Sequence, residues 1–137
     1  MKLKYPVFAF HKNDNMIYVF FKEDDLKSTS EGFLNEGGFV GDSITDASGH
    51  KFKIKKAFKV KYLGLWGFNP LLKGRQILVD FEYESEVEKV TLDDFKKDIL
   101  VRIDKKKQIW QSAWDISKLK EAIRNSLSFE EIAGLLT

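Results

Sequence analysis

Few side chains in this sequence have the chemistry for catalysis or metal binding. The 137 residues include two histidines, His11 and His50, and no cysteine, which excludes thiolate nucleophiles, disulfides and cysteine-ligated metals. Asp42, Asp46 and His50 follow one another at intervals of four residues, which on a helix would place three metal ligands on one face. Glycine-rich turn and strand sequence surrounds them and favours solvated turn residues, so we expect no metal site.

Catalytic motifs are also missing. Asp14 lies close to His11 in the sequence and has the chemistry to orient its imidazole, but no nucleophile accompanies the pair. The sequence has no Gly-x-Gly-x-x-Gly, P-loop, Gly-x-Ser-x-Gly or His-Glu-x-x-His pattern. We therefore expect a protein that is not an enzyme and that uses no cofactor.

Charge is distributed unevenly along the chain, although the whole sequence carries only +2. Residues 50–76 include eight basic side chains and no acidic one, whereas residues 77–104 include nine acidic and four basic ones. A basic segment is a candidate site for nucleic acid. The residues that would contact it are Lys51, Lys53, Lys55, Lys59 and Lys61. Aromatic residues alternate onto the opposite face of this segment, which is untypical of nucleic-acid readers and favours a neighbouring acidic strand as the partner of the lysines.

A second candidate site is the segment between the two charged runs, residues 63–76. It is long for a hairpin connection and rich in large apolar side chains, and long loops are often functional. Two interpretations remain open: the loop covers the end of the core, or it is an exposed anchor for another protein, where tryptophan is typical of binding hot spots. In the second case the partner-binding residues are Leu65, Trp66, Phe68, Leu71, Lys73 and Arg75.

Alternating patterns predict the strands that would position these sites. Residues 7–10 and 16–21 predict a hairpin, and residues 43–45 a short strand before a turn at 46–49. From residue 51 to 62 lysines alternate with apolar side chains. In residues 77–88 acidic side chains alternate with apolar ones in the same way. The apolar face of the first run is predicted to be buried, and its members are Phe52, Ile54, Phe58, Val60 and Tyr62.

The two charged runs are predicted to pair as antiparallel neighbours, with lysines facing acids across the exposed side. This pairing would place Lys59 opposite Asp80, Lys55 opposite Glu84, Lys53 opposite Glu86 and Lys51 opposite Glu88. Each such exposed pair contributes about 0.2–1 kcal/mol. The charges therefore select the partner strand, while the apolar faces must set the register.

The C-terminal third changes to helical spacing. Leu92, Phe95, Ile99 and Ile103 predict one helix, which Thr91 is suited to cap, and Asp115 and Ser128 are suited to cap two more. Residues 22–41 are expected to be mostly loop, with one helical turn near Asp24. The prediction is one domain, residues 1–137, of class α+β: an antiparallel sheet of four to six strands with two or three C-terminal helices packed on one face.

The chain has no apolar run near the 18 residues of a membrane-spanning helix. Lys2 and Lys4 precede an apolar stretch that is too short for a signal peptide and lacks a cleavage site. Together with the absence of cysteine, this favours a cytoplasmic protein without a membrane partner. We expect a monomer or a modest homodimer, because lysine-rich edge strands oppose open-ended pairing.

Three short stretches occur in a suggestive order: Lys-Tyr-Pro-Val-Phe at 4–8, Thr-Asp-Ala-Ser-Gly at 45–49 before the lysine-rich strand, and Ser-Phe-Glu-Glu-Ile at 128–132. In this order the chain resembles small bacterial proteins that serve as immunity partners of secreted toxins. The resemblance implies a soluble, non-enzymatic single domain that binds one protein tightly, and it carries over no binding residue.

The expected function is protein binding, in the form of an immunity protein that binds and occludes a toxin. The alternative is a nucleic-acid-binding module that uses the lysine-rich strand. A third hypothesis is a small-molecule or lipid binder in which the aromatic core forms a pocket.

Overall fold

Seven strands form one antiparallel sheet within residues 2–63 and 76–137, the part of the chain that the computed structural model describes. They are β1 (Val7–Phe10), β2 (Tyr18–Phe20), β3 (Ser28–Ser30), β4 (Ser43–Thr45), β5 (His50–Tyr62), β6 (Gln76–Tyr83) and β7 (Glu88–Lys89). The continuous path runs β2-β1-β4-β5-β6-β3, and β7 pairs with the start of β5. The predicted hairpin of β1 and β2 and the α+β class are confirmed.

Six helices lie in the same described residues. They are α1 (Glu23–Leu26), α2 (Glu31–Asn35), α3 (Leu92–Lys105), α4 (Lys107–Trp110), α5 (Ile116–Asn125) and α6 (Phe129–Leu135). The predicted caps of α3, α5 and α6 are confirmed, since the side chains of Thr91, Asp115 and Ser128 each accept a hydrogen bond from a backbone N–H of the first turn. Each cap satisfies an N–H that has no partner inside the helix.

Strand β1 separates two hydrophobic cores, because its side chains alternate between the two faces of the sheet. Phe8 and Phe10 point to the outer face, where buried residues of α3, α5 and α6 cover them. Val7 points to the inner face and packs with Ile44 of β4 and Leu26 of α1. The sheet curls around this inner core as a half-barrel, and the C-terminal helices pack on one face, as predicted.

The predicted pairing of residues 51–62 with 77–88 is confirmed, but its register is more complex. Lys51 lies opposite Glu88, as expected. The pairing of β5 with β6 begins two residues away from the predicted register, with Ile54 opposite Tyr83. Two bulges, at Lys55 and Val60, each shift it by one residue, so that between them Lys59 lies opposite Val79 instead of Asp80. The expected pair of Lys55 with Glu84 is also wrong, because Lys55 occupies the first bulge.

The bulges also change which side chains of β5 face outward. A bulge sets two residues against one on the partner strand, so two consecutive side chains share a face. Beyond the first bulge Ala57 takes the inner position opposite Phe81, and Phe58 lies on the outer face opposite Asp80. Phe58 is 43% exposed and Val60 is 53% exposed. The prediction that these two belong to the buried face is therefore wrong. Tyr62 returns to the inner face, opposite the buried Ile77, but is itself exposed.

The turn that joins β4 to β5 requires glycine at position 49. Gly49 has a φ of +85°, and a Cβ there would lie 2.6 Å from the carbonyl oxygen of Val90. We expect Gly49→Ala to lower the free energy of unfolding by about 2 kcal/mol or more, because both the left-handed backbone and the close contact oppose a side chain. Urea denaturation of the variant measures this loss.

Gly134 provides the matched control for this substitution. It lies in α6, and a Cβ added there would meet no neighbouring atom within 4 Å. Gly134→Ala should leave stability unchanged or raise it by up to about 1 kcal/mol, since alanine favours a helix over glycine. Equal losses in the two variants would contradict the role given to the turn.

Candidate functional site

The outer face of the sheet is bare over much of β5 and β6. The C-terminal helices cover β1, whereas the outward side chains of β5 beyond Phe52 are exposed to solvent. We call six of them the β5 patch: Lys53, Lys55, Lys56, Phe58, Val60 and Lys61. Their arrangement follows from the two bulges, which place Lys55 with Lys56 and Val60 with Lys61 on one face. The result is two apolar side chains between four lysines.

The β5 patch has an excess of positive charge. Lys55 lies 3.9 Å from Glu82 of β6, a pair that is exposed and therefore weak. Lys53, Lys56 and Lys61 form no ion pair with any residue in the described ranges. The acidic strand therefore neutralises the lysines less completely than the charge pattern predicted.

The five lysines proposed from the sequence as nucleic-acid contacts do not share one surface. Lys53, Lys55 and Lys61 lie on the β5 patch. Lys51 is half-buried between β4 and β7, opposite Thr45 and Glu88. Lys59 points to the inner face, where its amino group lies 3.0 Å from both Glu31 Oε2 and the Tyr62 hydroxyl.

The six residues proposed as partner contacts lie outside the described residues. They are Leu65, Trp66, Phe68, Leu71, Lys73 and Arg75. The flanking residues are described: the backbone N–H of Leu63 donates to the carbonyl of Gln76 at 2.9 Å. The segment 64–75 therefore leaves and rejoins the fold at the end of β5 and β6 that follows Val60 and Lys61. It adds two basic residues and no acidic one.

The two histidines bond to different groups, and the partner of His11 differs from the one expected. The Nδ1–H of His11 donates to Asp42 Oδ2 at 2.6 Å, and Asp42 is buried. Asp14 instead accepts from the backbone N–H of Met16, so the expectation that it orients His11 is wrong. His50 Nδ1 lies 2.7 Å from the Ser48 hydroxyl.

Asp42 and Asp46 were expected to be solvated turn residues, and this expectation is wrong because both are buried. Asp42 accepts a second bond from the Lys12 N–H, at 3.1 Å. Asp46 accepts from three backbone N–H groups, those of Lys4, Ser48 and His50. These carboxylates stabilise turns, and no group of side chains in the described ranges has the arrangement of a metal site.

The comparisons with known proteins give no relative. No protein-family model matches the chain, no curated protein is similar to it, and no solved structure matches its fold. None of the helices in residues 2–63 and 76–137 combines the length and hydrophobicity that crossing a membrane needs. The fold and the surface together define an α+β protein with an unpartnered, basic and partly apolar sheet face.

Sequence reasoning missed Lys56, Phe58 and Val60 as members of this surface. One signal was available. Lys56 interrupts the alternation directly after Lys55, and two consecutive polar residues inside an amphipathic strand are typical of a bulge. Reading the pair as a bulge inverts the faces of the residues that follow, up to the second bulge, and places Phe58 outside.

Proposed function

We propose that this protein is a non-enzymatic binding protein that docks an acidic protein on the β5 patch. The observation that supports this most directly is the exposure of Phe58 and Val60 among four lysines, of which only Lys55 has an ion-pair partner in the described chain. Apolar side chains at the centre of a polar rim are typical of protein interfaces. A partner with carboxylates around an apolar centre would complement both features.

The segment 64–75 extends this surface in the proposal. In the sequence, Trp66 comes soon after the strand that carries the patch, and the two basic residues, Lys73 and Arg75, come just before β6. Tryptophan and arginine are enriched among the residues that dominate binding energy. A docked protein would then contact the β5 patch and the segment together.

The resemblance to toxin-immunity proteins suggests the biological form of this binding. In that form the partner is a secreted toxin, and the protein acts in the cytoplasm by occluding it. We expect a toxin or secretion gene next to the gene of this protein, and a gene with no such neighbour would count against the immunity role without affecting the binding surface.

A second candidate function, nucleic-acid binding, has one observation in its favour. The first bulge places Phe58 on the same face as Lys53 and Lys55, and an aromatic ring among cations is the arrangement on which bases stack. Against it, Asp80 lies opposite Phe58 and Glu82 opposite Lys56, so that a continuous phosphate backbone on this face would meet carboxylates, whereas the acidic side chains of a protein can be placed opposite the lysines alone. The protein partner is therefore the favoured proposal.

The test measures the affinity for the protein encoded by the adjacent gene, by calorimetry, for three forms of the chain. They are the wild type, Val60→Ser and Val101→Ser. Val101 is the matched control because it is 50% exposed on α3, away from the patch. We expect Val60→Ser to weaken binding about tenfold or more, and Val101→Ser to bind like the wild type.

Equal affinities of the two serine variants would overturn the proposed surface. A labelled single-stranded oligonucleotide, titrated at low and high salt, tests the second candidate. Tight binding that falls steeply with salt would establish nucleic acid as the partner and replace the proposal. Trp66→Ala should add its own loss of affinity, of about 2 kcal/mol, if the segment contributes a hot spot.

A further inference from the structure

A cavity of about 240 Å³ opens on the inner side of the half-barrel, on the opposite face of the sheet from the β5 patch. It lies between β1 and β2 on one side and β3 and α2 on the other, and its walls are mostly apolar. Six rings line it: His11, Tyr18, Phe20, Phe33, Phe39 and Phe81. Ala9 is the small residue in its wall and leaves the space open beside them.

The rings support one another in a continuous series. His11 lies edge-on to Tyr18, with centroids 5.1 Å apart, and is 6.0 Å from Phe33. Phe33 and Phe39 are 5.0 Å apart, also edge to face. This edge-to-face arrangement is the one that aromatic pairs prefer. The lining is therefore a packed aromatic wall with a fixed shape.

The imidazole of His11 in this wall has a fixed orientation and one ring nitrogen without a hydrogen-bond donor. The bond from His11 Nδ1–H to the buried Asp42 fixes the imidazole ring, and in the neutral ring this leaves Nε2 as an acceptor. No residue in the described ranges donates to Nε2. A fixed acceptor in an apolar wall is how a pocket orients a ligand.

We propose that this cavity binds a small bicyclic aromatic molecule with one N–H or O–H donor, which bonds to His11 Nε2. The volume supports this size, because an apolar cavity of about 150 Å³ takes up a single benzene ring. The donor is required because the wall offers an acceptor. An organic cation fits less well, since both oxygens of Asp42 are already bonded, to His11 and to the Lys12 N–H, and Asp25, the other carboxylate of the lining, is exposed to solvent.

Two probes of the same shape separate the contribution of the hydrogen bond from that of the cavity. Indole has an N–H donor and naphthalene has none. Binding of each is measured by calorimetry to the wild type, to His11→Asn and to His50→Asn. Asparagine retains an N–H where Nδ1 stood, so that Asp42 keeps a donor, and it removes Nε2. His50 is the matched control, because it does not line the cavity.

We expect the wild type and His50→Asn to bind both probes. His11→Asn should weaken indole binding about tenfold and change naphthalene binding by less than about twofold, since only indole loses a hydrogen bond. Ala9→Leu should abolish binding of both probes by filling the space, and circular dichroism checks that this variant is folded. Val60→Ser should bind indole like the wild type, which keeps this test independent of the proposed protein interface.

Three results would overturn the proposal. The first is that the wild type binds neither probe. The second is an equal loss of both probes in His11→Asn, which would mean that Nε2 forms no bond to the ligand. The third is that folded Ala9→Leu binds as the wild type does. Binding of tetramethylammonium in preference to indole would assign the cavity to a cation instead.

Discussion

Phe95→Ala is expected to lower the free energy of unfolding by about 4 kcal/mol, the largest loss from any single substitution considered for this chain. Phe95 is 2% exposed and lies where strand β1 meets helices α3 and α6. Its ring centroid is 4.7 Å from that of Phe8 and 4.9 Å from that of Phe129. Alanine would leave a cavity among rings that cannot close it without moving a helix.

Urea denaturation measures this loss, and the slope of the transition checks that folding stays two-state. Val101→Ala is the control, because Val101 lies on the exposed side of the same helix. Its expected change is within about 0.5 kcal/mol. A loss below about 2 kcal/mol for Phe95→Ala would show that the outer core tolerates the cavity and that α3 is not fixed by this residue.

The position of Phe95 could be predicted from the sequence alone. Leu92, Phe95, Ile99 and Ile103 recur at helical spacing, and the last three are buried. The three side-chain caps could also be predicted from the sequence, because capping depends only on a local pattern of a few residues. The helical spacing and the caps, which depend on local sequence, were therefore predicted correctly.

Features that depend on distant contacts were not predicted. Residues 22–41 were expected to be mostly loop, and the single helical turn expected there is α1, but the segment also forms β3 and α2. Strand β3 is the sequence Ser-Thr-Ser, which has no apolar alternation, and it is extended because it pairs with β6. Tertiary pairing overrides local propensity in such short strands.

The candidate sites divide in the same way. The pairing of Lys51 with Glu88 followed from the charge pattern, whereas the outward position of Phe58 depended on a bulge. The bond between His11 and Asp42 joins residues 31 positions apart, and nothing in the local sequence indicates it. The aromatic cavity was only a general hypothesis, because rings brought together by the curl of the sheet cannot be assigned from their order in the chain.

Asp46→Ala is expected to cause the second-largest loss, about 3 kcal/mol. The buried Asp46 carboxylate accepts from the N–H groups of Lys4, Ser48 and His50, at 3.2, 3.0 and 3.0 Å, and from the Ser48 hydroxyl at 2.7 Å. Alanine would leave the three backbone N–H groups without this acceptor, whereas the Ser48 hydroxyl would keep His50 Nδ1 as a neighbour. Because the bond from Lys4 connects the N-terminal segment to the turn, the loss of stability should exceed the loss from removing hydrogen bonds within the turn alone.

Asp14→Ala is the matched control for this substitution. Asp14 has the same kind of turn bond, since its Oδ1 accepts from the N–H of Met16 two residues later. It accepts from no other backbone group in the described chain. Its expected loss is about 1 kcal/mol. Similar losses in the two variants would mean that the additional bonds of Asp46 contribute nothing to stability.

The same carboxylate predicts a pH dependence. Burial acts to raise the pKa of Asp46, but the hydrogen bonds from Ser48, Lys4 and His50 outweigh it and hold the pKa below the usual 3.8. A carboxyl whose pKa is lowered by folding stabilises the protein fully above its unfolded pKa, and this contribution disappears as the pH falls through the folded value. Stability should therefore fall below about pH 4.

Other carboxylates also contribute to the loss of stability at low pH, so a variant is needed that isolates the contribution of Asp46. The hydrogen bonds from Lys27 and Lys120 lower the pKa values of Asp80 and Asp104 in the same direction. Asp46→Asn keeps one oxygen acceptor in the turn and does not titrate. The stability difference between the wild type and Asp46→Asn should therefore be constant near neutral pH and shrink as the pH falls below about 4. A difference that stays constant down to about pH 2 would show that the hydrogen bonds of Asp46 do not depend on its charge.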